Sequence, residues 1–111
     1  MIVLGYNASG RVTISKNEFD GITPTSATCN GMHYWTLLFY GSGDLITFAQ
    51  NYVHNTSGRG PKVDGNSNIH VFNNLWENVD GHAFDISKND GKILIEGNVF
   101  RNVKYSELPG N

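Results

Sequence analysis

The segment Ile69-His70-Val71-Phe72-Asn73-Asn74 decides the reading of this chain, because its pattern occurs four times. The other copies are Val12-Thr13-Ile14-Ser15-Lys16-Asn17, Ile46-Thr47-Phe48-Ala49-Gln50-Asn51 and Ile93-Leu94-Ile95-Glu96-Gly97-Asn98. Each places apolar residues five and three positions before a shared asparagine. Two positions after it stands Phe19, Val53, Trp76 or Phe100, and further on come Gly21-Ile22, Asn55-Thr56, Asn78-Val79 or Asn102-Val103. The apolar alternation has the two-residue period of a strand, and β-branched residues fill it. A repeat of this kind must be read before any single element.

The shared asparagines lie 34, 23 and 24 residues apart. Units of that length without helical periodicity are too short for strand–helix–strand crossovers. They suit an all-β, right-handed parallel β-helix, a solenoid in which each coil lays its strands on the coil before it, ~4.8 Å away. Residues 1–111 are expected to form one domain of about four to five coils, incomplete, without N-terminal coils or cap. Asn17, Asn51, Asn74 and Asn98 should then form a ladder at one bend, where Asn is also favoured for its tolerance of left-handed backbone angles. The first interval holds about eleven surplus residues, expected as a loop around Thr23–Gly31. The leucine spacing of a leucine-rich solenoid is absent.

Composition narrows the partners. A formal charge of −2 with scattered basic residues gives no cationic face for nucleic acid. No apolar run approaches the roughly 20 residues of a membrane span, so no membrane contact is expected. Residues 1–15 lack the pattern of a secretory signal. Cys29 is the single cysteine. It is either a buried free thiol or half of a disulfide whose partner lies outside this sequence. The sequons at Asn7 and Asn55 are compatible with secretion.

Arg59 stands eight positions after Asn51, and His82 stands eight after Asn74, each preceded by glycine. The register therefore puts Arg59 and His82 side by side on adjacent coils. Arg59 reads either as a solvated turn arginine or as a site residue, and Pro61 favours a fixed backbone here. Lys62 adds a second cation. Tyr34 and Trp35 lie in the most aromatic stretch and read as groove or core residues. Trp76 occupies the repeat position expected inside. Asp44 and Asp85 read as turn or surface acids.

His54 through Val63 resembles the stretch that carries the catalytic arginine of the fungal pectin lyases, in polysaccharide lyase family 1. Ser26 through Trp35, Gly81-His82-Ala83-Phe84 and Glu96 through Phe100 are similar to further segments of that family, in its order, over about Val3 to Val103. The resemblance implies a secreted enzyme, monomeric when full length, that splits methyl-esterified galacturonan (pectin) by β-elimination. It needs no cofactor and no metal. It implies Arg59 as the base at C5, Tyr34 and Trp35 as aromatic residues of the substrate cleft, and Lys62 and His82 as its neighbours. Free guanidinium has a pKa above about 12, so a basic arginine needs a site that favours its neutral form. It also implies a disulfide partner for Cys29 before this segment, and upstream cleft residues without which the 111-residue chain is inactive. Calcium-dependent pectate lyases typically carry R-x-P-x-x-R; here the last position is Asp64. A pectate lyase, or a non-catalytic polysaccharide-binding solenoid, is the alternative. The clustered aspartates of polygalacturonases are not seen.

Overall fold

The computed structural model describes residues 1–5, 7, 9–87 and 92–107. Among them the chain forms strands and turns and no helix. In order these are β1 (Ile2–Leu4), β2 (Arg11–Ser15), β3 (Glu18–Asp20), β4 (Leu37–Phe39), β5 (Leu45–Ala49) and β6 (Tyr52–Thr56). Then come β7 (Lys62–Val63), β8 (Asn68–Phe72), β9 (Leu75–Ile86), β10 (Lys92–Glu96) and β11 (Val99–Glu107). Every pairing between these strands is parallel.

One four-stranded sheet runs β10-β8-β5-β2, and it contains all four copies of the repeat in register. Val12, Ile46, Ile69 and Ile93 stand in one row, with Ile14, Phe48, Val71 and Ile95 in another. The second sheet runs β1-β4-β7-β9-β6-β3, with β11 also on β9. Strand β9 links its two halves: Trp76 pairs with Val53 of β6, whereas Asp85 pairs with Lys62 of β7. The all-β expectation holds, and so does the parallel stacking of the repeats.

Alternate residues of each repeat point inward. Phe48, Val71, Val53 and Trp76 are fully buried. Four aromatic rings of the core follow one another: Phe19 to Phe48 at 6.0 Å, Phe48 to Trp76 at 6.1 Å and Trp76 to Phe100 at 5.2 Å. The buried indole needs a polar partner. Trp76 Nε1 donates to the Gly60 carbonyl at 2.6 Å.

The asparagine ladder forms as expected. Asn51 Oδ1 accepts from the Asn17 backbone N–H and side-chain amide at 3.0 and 3.2 Å. Asn74 Oδ1 accepts the same pair from Asn51 at 2.8 and 3.2 Å, and Asn98 Oδ1 from Asn74 at 2.9 and 2.9 Å. Asn51, Asn74 and Asn98 also donate to a carbonyl of the preceding unit, as when Asn74 Nδ2 donates to the Phe48 carbonyl at 3.0 Å. The left-handed backbone falls elsewhere than expected. It lies one residue earlier, at Lys16, Gln50, Asn73 and Gly97, and again at Asn55, Asn78 and Asn102. The ladder asparagines serve through their amides, whose orientation the left-handed residue before them sets.

The chain departs from the repeat at the loop, and two acids lie deeper than a surface position. Ile22 holds the repeat position of buried Thr56 and Val79, yet it is 62% exposed. The chain leaves the sheet there: Ile22 forms an antiparallel bridge with Met32 that closes the base of the loop. Within it Ser26 Oγ accepts from the N–H groups of Asn30 and Gly31, and Cys29 is exposed, not a buried thiol. Of the two acids read as turn or surface residues, Asp44 lies in the turn before β5 and Asp85 within β9, and both are buried. Asp44 Oδ1 accepts from the backbone N–H groups of Ser9 and Gly10, so its charge fastens one turn to the next.

Candidate active site

Arg59 lies in the connection between β6 and β7, with a φ of 46°. Its backbone is held from both sides. Leu37 N–H donates to the Arg59 carbonyl, Gly60 N–H donates to the Ala83 carbonyl at 2.7 Å, and Asp85 N–H donates to the Pro61 carbonyl at 2.9 Å. Neighbouring repeat units thus fix the segment that Pro61 was expected to stiffen. The side chain remains 29% exposed, so the guanidinium is reachable from solvent.

Three units meet at this point. The Arg59 guanidinium carbon stands 5.4 Å from the centre of the Tyr34 ring, a distance at which the ring face attracts a cation. His82 packs edge-on to the same ring at 5.8 Å. The packing is tight because residue 58 is glycine: a Cβ there would lie 2.6 Å from a Tyr34 ring carbon. Trp35 stands edge-on to Tyr34 at 6.1 Å and is 51% exposed. With Thr25, Ser26, Ala27, His33 and Tyr34 it lines a depression of about 410 Å³ between the loop and the sheet. Two other hollows lie over β5, β8 and β10 and between Met32 and the β9–β11 edge, and neither is lined by Tyr34 or Trp35.

Beneath the guanidinium lies Asp85, which the sequence reading had set aside. Its Oδ2 is 3.6 Å from Arg59 Nε and 3.9 Å from His82 Nε2, while its Oδ1 accepts from Lys62 Nζ at 3.0 Å. Lys62 also donates to Ser87 Oγ at 2.9 Å. Its ammonium is therefore engaged, and a carboxylate stands between the two cations, Arg59 and Lys62. The spacing that aligns Arg59 with His82 also aligns Lys62 with Asp85, and this marks the carboxylate as their neighbour. His82 is buried, with Nε2 making no hydrogen bond among the described residues. Burial holds its pKa below the ordinary 6.5, Asp85 opposes that shift, and Arg59 and Lys62 add to it.

The structure brings Arg59, Tyr34, His82 and Lys62 into one cluster, with Trp35 extending it along the surface. Such a cluster offers a fixed guanidinium beside two aromatic faces, the chemistry that suits a sugar with a polar reacting edge.

Comparison with known proteins agrees in kind. The chain is 59% identical over 109 residues to a probable pectin lyase F of Aspergillus flavus, covering 98% of this chain and 25% of that protein. It is 62% identical over 99 residues to a probable pectin lyase F of Aspergillus niger, covering 89% and 21%. A probable pectin lyase D of Emericella nidulans is 52% identical over 114 residues, with 99% and 30% covered. The chain thus spans about a quarter of the length of these curated relatives. The pectate lyase family matches residues 3–108, and with that span covered the chain belongs to the pectate lyase family.

Proposed function

We propose that this chain is part of a secreted pectin lyase, monomeric when complete, which cleaves 1,4-linked methyl-esterified galacturonan within the polymer by β-elimination. In this reading its parallel sheets are about four to five coils of a right-handed β-helix, residues 1–111 forming part of a longer stack. Arg59 takes the proton from C5, alpha to the ester carbonyl. The electron pair left at C5 forms the C4–C5 double bond as the C4–O bond breaks. The departing glycosidic oxygen takes up a proton and becomes the end of one fragment. The other fragment carries the unsaturated sugar.

One observation carries this reading. A backbone-pinned, partly exposed arginine lies against Tyr34, next to exposed Trp35, in a chain whose relatives are named pectin lyases. Tyr34 and Trp35 offer ring faces to the C–H faces of the sugars, and an uncharged ester polymer depends on such contacts. Lys62 and His82 back the arginine from the neighbouring strands. The methyl ester acidifies C5 without the negative charge a free carboxylate would place beside the carbanion.

The test uses the complete enzyme that carries this sequence. Arg59→Ala is expected to lower kcat on highly esterified pectin by at least about a hundredfold, read as the absorbance of the new double bond. Wild-type enzyme that prefers polygalacturonate and loses activity with a calcium chelator would favour a pectate lyase. Pectin binding with no lyase activity in the wild type would favour a binding module.

A further inference from the structure

Asp85 is the meeting point of the cluster, and it belongs to neither the aromatic surface nor the exposed arginine. Its side chain is only 6% exposed. A carboxylate this far from water requires compensation from nearby charge or hydrogen bonds. Lys62 supplies one full hydrogen-bonded ion pair at 3.0 Å. The second oxygen faces Arg59 Nε at 3.6 Å, an ion pair too long for a direct hydrogen bond. The backbone fixes these relations. Asp85 N–H is bonded to the Pro61 carbonyl, and Lys62 and Asp85 are register partners in β7 and β9. The backbone of Asp85 is thereby tied to the segment that carries Arg59.

We propose that Asp85 is a positioning residue for Arg59. It holds the Nε side of the guanidinium from below and draws Lys62 onto Oδ1 and Ser87, so that Arg59 alone faces the groove. The inference rests on the lyase reading above, because only a reacting arginine needs such control. An arginine side chain has several rotatable bonds, and a misplacement of about 1 Å in a reacting group can cost on the order of a hundredfold in rate. The carboxylate does not touch substrate in this scheme. Its removal should be felt in kcat and not in KM, because substrate is held by the ring surfaces of Tyr34 and Trp35.

The experiment compares wild-type, Asp85→Asn and Asp85→Glu forms of the complete enzyme on highly esterified pectin, with folding checked by circular dichroism. Asp85→Asn is expected to lower kcat by about tenfold to a hundredfold with KM changed less than about threefold. Asp85→Glu, which keeps the charge, is expected to recover part of that loss. A wild type inactive on pectin removes the lyase reading itself and this inference with it. With an active wild type, four results overturn the inference alone: kcat of Asp85→Asn within about twofold of wild type; a loss carried by KM; a folded Asp85→Glu no better than Asp85→Asn; or failure of both variants to fold, which would make the carboxylate purely structural.

Discussion

His82 carries a cost in the folded protein that depends on pH. Its ring is buried, and burial depresses its pKa below the 6.5 of an exposed histidine. As pH falls the unfolded chain binds the proton first, so protonation favours unfolding. The contribution of neutral His82 is fully present above its ordinary value and is lost as pH drops through its folded value. The thermal midpoint of the complete enzyme should therefore fall as pH is lowered from about 7 to about 5, and His82→Gln should make that fall shallower. An unchanged pH dependence in the variant would assign the effect to other groups. His82 also shows how much one residue owes to its neighbours. Gly58 leaves the space in which the Tyr34 ring approaches both His82 and Arg59.

The ladder is an element whose members differ in what they hold. Asn74 is buried; it accepts twice from Asn51, donates to Phe48 and Asn98, and so links three units. Asn17 is exposed and donates without accepting in the ladder. Leaving a buried donor or acceptor without its partner costs about 1–3 kcal/mol. Asn74→Ala removes an acceptor for two donors, one of them the Asn51 backbone N–H. It is expected to destabilise by about 2 kcal/mol or more, and Asn17→Ala by less than about 1. Urea unfolding of the two variants measures the difference, and equal losses would contradict the ladder as the source. The pairing strands were readable because their side chains repeat every two residues. The left-handed positions just before the ladder were not, since Lys16, Gln50 and Asn73 share no side-chain chemistry that marks them, whereas those at Asn55, Asn78 and Asn102 carry a residue that tolerates such angles.

Over the whole molecule, burial is uneven. Phe48 and Trp76 in the middle of the stack are fully enclosed, whereas Leu94, Ile95 and Val99 in β10 and β11 are 55%, 40% and 52% exposed. Exposed apolar residues beside unpaired strand edges favour association. The 111-residue chain by itself is expected to associate on sizing chromatography and to show no turnover on esterified pectin, whereas the complete enzyme turns over. Activity of the isolated chain comparable to the complete enzyme would refute this. The repeat, the parallel register, the inward row of Ile14, Phe48 and Val71 and the ladder were all written in the sequence, because a stack imposes one spacing on every unit. That same spacing placed Arg59 beside His82. The tertiary structure alone decided what surrounds them. Burial of Asp85, its division between Lys62 and Arg59, the departure of Ile22 from the core and the fit of Tyr34 over Gly58 depend on side-chain directions and on a loop. Spacing along the chain specifies which residues are neighbours, and only packing in three dimensions specifies which of their atoms meet.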